Sequence, residues 1–213
     1  MRDILLIKQV FMKKIILASQ SPRRRELLNL VRLDFEVIPS DCDEKARADS
    51  PEELVKMLSK LKCSDVAGRI IRKEVLPETA SSDGYYVIGS DTIVVFDGNI
   101  LGKPQDGSDA FRMLKMLSGN THSVFTGVTV IDTKTGKGKT FYEKTDVKFI
   151  DADDEEIRAY VATGEPMDKA GAYGVQGLGA FLVEKINGDY FTVVGLPLSR
   201  LLRVLKAFDK ENR

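Results

Sequence analysis

Two features of this sequence carry more chemistry than a folded core requires. The first is the run Ser21-Pro22-Arg23-Arg24-Arg25. Ser21 suits a helix N-cap, and Pro22 suits the first helical position because it has no N–H to lose. Leu27, Leu28 and Val31 then recur at helical spacing. The positive end of a helix dipole disfavours cations, so three arginines in the first turn are out of place. Helical spacing puts Arg24 on the inward stripe, with Arg23 and Arg25 flanking it. An anion held between the free N–H groups and the guanidiniums resolves the conflict. A solvated basic turn with Glu26 and Asp34 as loose partners is the blander alternative, but cap, proline, dipole and arginines all coincide here. The second feature is Asp91, which interrupts the apolar stretch Tyr86–Phe96. A buried, unpaired carboxylate is costly, so Asp91 should meet a cation or a metal, or carry a raised pKa. A capping aspartate is the structural alternative, and the apolar surroundings argue against it.

The elements that position these residues follow from periodicity. Ile15–Leu17 reads as a buried strand that stops at the small, polar Ala18-Ser19-Gln20. Phe35–Ile38 reads as a second strand, ended by Pro39, and Ser40–Lys45 as a polar, acidic loop. Ser50-Pro51-Glu52-Glu53 is a helix start with a capping-box glutamate; Leu54, Leu58 and Leu61 mark its apolar face, continued by Val66, Ala67, Ile70 and Ile71. Tyr86–Phe96 is apolar nearly throughout, which predicts a central strand buried on both faces. Asp97-Gly98 turns the chain into a short partner, Asn99–Leu101. A helix is expected over Ser108–Ser118 with Gly119 as C-cap, then strands over His122–Ile131 and Thr140–Ile150. Asp153–Glu156 load the start of a further helix with acids. Gly164–Gly179 is glycine-rich and irregular, as functional loops tend to be. Phe181–Val183 and Tyr190–Val194 are expected to form a hairpin about Asn187-Gly188, and a last helix follows Pro197. Strands and helices mixed in this way indicate an α/β or α+β sheet fold.

Composition sets the limits. The chain has 213 residues, 43% of them apolar, enough for one large domain or two lobes sharing a sheet. With 32 basic and 32 acidic side chains the formal net charge is zero, so a general affinity for nucleic acid or an anionic membrane is not expected and any anion site must be local. Cys42, Cys63 and the single His122 do not make a zinc set; reduced cysteines in a cytoplasmic protein are the better reading. No apolar run reaches the ~20 residues of a membrane span. Residues 1–13 read as an N-terminal extension too short for a secretory core, with Met12 as an alternative start, and residues 14–213 as one domain. No GxxxxGK[ST] occurs, which removes a P-loop nucleotidase.

Six stretches in order, LASQSPRRRELL, IGSDTIV, LGKPQD, LSGNTHSVFTGV, GEPMDKAGAYGVQG and GDYFTVVGLP, span Leu17 to Pro197. Together they resemble the Maf family of nucleoside triphosphate pyrophosphatases, kin in fold to the inosine triphosphate pyrophosphatases. The resemblance implies a central, elongated mixed sheet flanked by helices, with two lobes and a cleft between them. It implies hydrolysis of a nucleoside triphosphate to the monophosphate and pyrophosphate with a divalent cation, Mg²⁺ or Mn²⁺, and a homodimer. Asp91 matches the family's general base. Arg23 and Arg24 match its paired phosphate-holding arginines, with Ser19 and Ser21 nearby. Lys103 and Lys62 match its phosphate-contacting lysines, although Lys62 reads equally as a solvated helical lysine. Glu44 matches an acidic position that helps hold the metal or the base's water, and Asp43 could share that role; without the resemblance the loop is ordinary and polar. Asp168 is either a further carboxylate at the metal or a loop cap.

Three positions sort the family by base preference, and here they read Arg23, Thr92 and Gln176, as in the subgroup acting on dTTP and UTP. A glutamine amide can pair with the N3–H and a carbonyl of uracil or thymine, but rotation of that amide weakens its discrimination against cytosine. Strand and loop roles for Thr92 and Gln176 are the plain alternatives. Two rival functions stand beside this one: a housecleaning pyrophosphatase for modified or purine triphosphates, and a nucleotide-sensing regulator of division that does not turn over.

Overall fold

The computed structural model describes residues 11, 13–43 and 46–211. In chain order it holds β1 (Lys14–Leu17), α1 (Pro22–Leu30), β2 (Phe35–Val37), α2 (Pro51–Ile71), β3 (Tyr85–Phe96), β4 (Asn99–Leu101), α3 (Gly107–Leu117), β5 (Thr121–Asp132), β6 (Gly138–Phe149), α4 (Asp154–Ala162), three short 3-10 turns, β7 (Val183–Asn187), α5 (Tyr190–Val194) and α6 (Leu198–Glu211). The strands form one mixed sheet in the order β2-β1-β3-β5-β6-β7, with β4 added to β3. β1 runs parallel to β2 and β3, whereas β3–β4 and β6–β7 are antiparallel. The α/β fold with a central mixed sheet and flanking helices is therefore the one the chain adopts. No helix among the described residues is long and apolar enough to cross a membrane.

The chain divides into two compact units. The first takes the chain through Asp91, then Gly127–Tyr142 and the segment from Gly195 on; the second takes Thr92–Thr126 and Glu143–Val194. In the first unit Ile16, Ala18 and Val87 pack with Cys63, Val66, Ala67 and Ile70 of α2. Helix α2 starts as its residues dictate, with Ser50 Oγ accepting from Glu53 N at 3.2 Å. Its buried face differs from the expected one. Val55, Leu58, Ser59, Cys63, Val66, Ala67 and Ile70 face inward, while Leu61 and Ile71 are exposed. The reason lies on the sheet. A Cβ on Gly89 would fall 2.4 Å from Ser59 O and 2.7 Å from Cys63 Cβ, and one on Gly127 would fall 2.1 Å from Val55 O. The helix backbone rests on these two glycines, so small residues, not leucines, occupy the contact. Cys63 is sealed there; its Sγ donates to Val87 O, and burial pushes its thiol up to about 12. Both Cys42 and Cys63 are free thiols.

The second unit packs Val94, Leu114, Leu117, Phe149, Ile157 and Leu182 in one core. Asp106 caps α3 by accepting from Asp109 N at 2.8 Å. Asp153 caps α4 in a full capping box with Glu156. The expected hairpin about Asn187-Gly188 does not form. Val183–Asn187 pairs instead with β6, and Tyr190–Val194 is a short helix. Asp189 Oδ1 accepts from Phe191 N at 3.0 Å, and this cap outweighs the strand preference of Phe191, Thr192, Val193 and Val194.

Candidate active site

In the first unit β1 stops at Leu17, opposite Ile88 of β3. Strand β3 runs on through Gly89, Ser90 and Asp91 while the other chain peels away as the loop 18–21. Ligands of α/β sheets collect at such carboxyl ends of parallel strands. The loop is tied down by Ala18 N, which donates to Ile88 O at 2.8 Å. Ser19 Oγ accepts from Ser21 N at 3.2 Å and from Arg24 Nη1 at 3.0 Å. Arg24 is buried, as its place on the inward stripe requires, and its Nε donates to Gly195 O at 2.9 Å. Ser90 Oγ lies 3.0 Å from that same carbonyl. One oxygen thus joins the arginine-bearing helix tip to the residue preceding Asp91. Ser21 occupies the N-cap position but makes no side-chain cap bond there; Ser19, two residues earlier, is the hydroxyl that organises the tip. Arg23 is half-buried and Arg25 is exposed, its Nη2 donating to Gln20 O at 3.1 Å.

Asp91 is buried and meets a cation, as a carboxylate in an apolar strand must. Lys62 Nζ, from α2, lies 2.6 Å from its Oδ1, and both side chains are largely shielded from solvent. Residue alternation sends Ser90 and Asp91 to opposite faces of β3, so Arg24 and Lys62 approach that strand from different sides. Lys62 is no solvated helical lysine. Glu44 lies outside the described residues. Nearby, Asp41 Oδ2 pairs with Arg69 Nη1 at 2.9 Å and Asp65 Oδ2 accepts from Ser40 Oγ at 3.0 Å, which makes this end of the acidic loop structural.

The second unit holds the other expected residues. Thr92 Oγ1 lies 2.9 Å from Thr126 Oγ1, which in turn donates to Thr192 O at 2.7 Å. Lys103 is exposed, in the loop after β4, and the preceding Gly102 accepts from Gly171 N at 3.0 Å, joining that loop to the glycine-rich segment. Asp168 is exposed and pairs with Lys169 at 2.7 Å. Gln176 is half-buried, and its Oε1 is buried with no hydrogen-bond partner among the described residues. An orphaned acceptor of this kind calls for a donor. Among the described residues no three His, Cys, Asp or Glu side chains gather as a metal cluster. Glu165 and Tyr160, which hold the glycine-rich loop, carry no capping or charge signal of their own in the sequence; Glu165 lies within the stretch GEPMDKAGAYGVQG, and glycine recurs at 174, 177 and 179 where the loop meets its holders.

An α/β sheet that sets a buried lysine–aspartate pair on the strand bonded to an arginine-bearing helix tip is suited to anionic substrates. The family model described as Maf-like protein matches residues 14–208, and the chain belongs to that family. A protein of Bacillus cytotoxicus named dTTP/UTP pyrophosphatase is 50% identical over 199 residues, covering 93% of this chain and 97% of its own. One of the same name from Bacillus thuringiensis subsp. konkukian is 49% identical over the same shares. The crystal structure of a nucleoside-triphosphatase / dITP/XTP pyrophosphatase from Mycobacterium abscessus overlaps 94% of this chain and 100% of its own, at 12% identity and a TM-score of 0.41, too loose a likeness to carry an argument.

Proposed function

We propose that this chain hydrolyses dTTP and UTP to the nucleoside monophosphate and pyrophosphate. Water attacks the α-phosphorus, its proton passes to a base, and the bond from that phosphorus to the bridging oxygen breaks as pyrophosphate leaves. The observation that carries the reading is Asp91, a buried carboxylate held by Lys62 at 2.6 Å on the strand bonded to the arginine tip. Asp91 is the base; Lys62 compensates its charge and orients it. Arg23 and Arg24, with Ser19 and Ser21, hold phosphate oxygens, and Lys103 adds a point charge to the triphosphate.

Mg²⁺ is commonly held by one or two carboxylates together with substrate phosphates, so a compact protein cluster is not required, and the hard oxygens of Asp91 fit that role. Asp91 and Glu44 would hold Mg²⁺ or Mn²⁺, with Asp168 as a further carboxylate, and the ion would neutralise charge on the triphosphate. Thr92 and Gln176 choose the base, supported by the buried, unpartnered Gln176 Oε1, which suits the N3–H of thymine or uracil. The same reading makes the enzyme a cytoplasmic homodimer, which suits the free cysteines and is measured by sedimentation.

The test is a panel of natural and modified triphosphates with Mg²⁺ or Mn²⁺ and detection of pyrophosphate. Turnover of dTTP and UTP above the purine triphosphates is expected, and Asp91→Asn should lose turnover while retaining nucleotide binding. A preference for modified or purine triphosphates would make it a housecleaning enzyme, and binding without turnover in the wild type would make it a sensor.

A further inference from the structure

We infer that Glu165, bridged to Tyr160, is a positioning residue that fixes the loop carrying Gln176 and thereby sets base selectivity; the inference rests on Gln176 being the group that meets the pyrimidine. Gly164, in the left-handed region at φ 75°, turns the chain out of α4 so that Glu165 faces back toward the glycine-rich segment. Glu165 Oε2 accepts from Leu178 N at 3.0 Å. Its Oε1 accepts from Gly179 N at 3.0 Å and from Tyr160 Oη at 2.9 Å. The Tyr160 oxygen, having donated its proton, accepts from Gly174 N at 3.2 Å. One carboxylate and one phenol therefore hold the backbone on both sides of Gln176. Burial alone would raise the Glu165 carboxyl, but the bonds from Gly179, Leu178 and Tyr160 outweigh it and hold the group below the usual range.

The clamp also accounts for the glycines around Gln176. A Cβ at Gly179 would lie 2.4 Å from Tyr160 Oη, one at Gly177 would lie 2.9 Å from Glu165 Oε2, and one at Gly174 would lie 2.8 Å from Lys169 Cε. Gly177 also has φ +78°. At 177 and 179 the loop is closed onto the clamp, and at 174 onto Lys169, too tightly for side chains. The consequence is chemical. A glutamine amide free to rotate pairs equally well with uracil or with cytosine, because exchanging its oxygen and nitrogen matches either edge. A backbone anchored at 174, 178 and 179 holds the Gln176 side chain in a half-buried place, where packing around the buried Oε1 opposes that exchange; the Oε1 has no hydrogen-bond partner among the described residues, an acceptor short of a donor such as N3–H.

The test uses the full-length protein. Selectivity is read as kcat/KM for dTTP over dCTP, with kcat and KM separated, in wild type, Glu165→Ala, Glu165→Gln, Tyr160→Phe, Gln176→Ala and the double variant Glu165→Ala/Gln176→Ala. Amide exchange of residues 174–179 is followed alongside. Glu165→Ala should speed exchange across these amides and lower the selectivity ratio about tenfold, the loss of a bond to a charged group. The loss should appear mainly in KM for dTTP, and in the double variant it should not exceed that of Gln176→Ala alone. Glu165→Gln, which keeps an acceptor oxygen, should recover part of the ratio, and Tyr160→Phe, a milder lesion, should lower it less while freeing Gly174. An unchanged ratio in Glu165→Ala or, should that variant not fold, in Tyr160→Phe overturns the inference; so does a double variant whose losses add. A wild type that does not turn over dTTP or UTP sinks the proposed function instead. In that case unchanged exchange in Tyr160→Phe sinks the clamp as well, and faster exchange leaves the clamp standing as the holder of the Gln176 loop.

Discussion

Replacing Gly89 by alanine should cost both stability and turnover, through a single displacement. The added Cβ would sit 2.4 Å from Ser59 O, 2.7 Å from Cys63 Cβ and 2.7 Å from Cys63 N. None of these atoms is the far end of a flexible side chain, so the overlap cannot be relieved by a rotamer change. Ordinary contact begins near 3.4 Å, so α2 must retreat from β3 by about 1 Å. Overpacking of this kind costs about 3 kcal/mol, the upper part of its usual range. In a chain of this length that is a fall in Tm of roughly 6–12 °C. The helix that retreats also carries Lys62, whose Nζ lies 2.6 Å from Asp91 Oδ1. A 1 Å retreat breaks that geometry, and misplacement on this scale costs about a hundredfold in rate. The assay pairs a urea or thermal melt with pyrophosphate release measured at least 15 °C below the variant's midpoint, so that loss of fold and loss of geometry are separated. Gly102→Ala is the control for stability, since a Cβ there meets nothing within 4 Å. A Gly89→Ala protein that melts with the wild type and turns over at its rate would refute the account of both α2 and Lys62.

Two further outcomes follow from the same structure. His122 is buried, with Nε2 2.8 Å from Tyr173 Oη, and burial lowers its pKa from 6.5 to about 4 against the opposing pull of Asp146. The unfolded chain takes up the proton first as pH falls, so stability should drop between pH 6.5 and pH 4, by about 2 kcal/mol at pH 5. Urea midpoints across that range should flatten in His122→Gln, and an unaltered slope would show that another group titrates. Arg24→Lys keeps the charge but cannot reach both Ser19 Oγ and Gly195 O, so kcat/KM for dTTP should fall about tenfold. Equal values in the two proteins would remove the planar guanidinium from the account.

Elements whose local signals agree with their packing were legible from the residues alone. Ile15–Leu17, Tyr86–Phe96 and the acid-loaded start of α4 belong to that group, as does the burial of Arg24, because each rests on short-range periodicity or capping. What failed depended on partners distant in sequence. The face of α2 turned away from Leu61 because Gly89 and Gly127, far along the chain, admit its backbone, and no window of α2 records that. Tyr190–Val194 has strand-forming residues, yet Asp189 caps it as a helix. At the site, Asp91 stood out as a charge in an apolar run, but its partner Lys62 did not, since a lysine on a half-exposed helix is commonplace. Ser19 proved to be the organising hydroxyl where Ser21 fitted the capping rule, because Arg24 Nη1 selects the acceptor within its reach.

The division of the chain gives the proposed chemistry its logic. Ser19, Arg23, Arg24, Lys62 and Asp91 belong to the first unit, and Thr92, Lys103 and Gln176 to the second. Apart from Lys103 and Asp168, the charged groups assigned to the phosphates, the metal and the water lie in one unit, and the neutral groups assigned to the base lie in the other. Phosphates are common to every nucleoside triphosphate, so a lesion in the first unit should depress turnover of all of them alike. Base edges differ, so a lesion at Gln176 or its supports should change the ratio between substrates more than the rate of the best one.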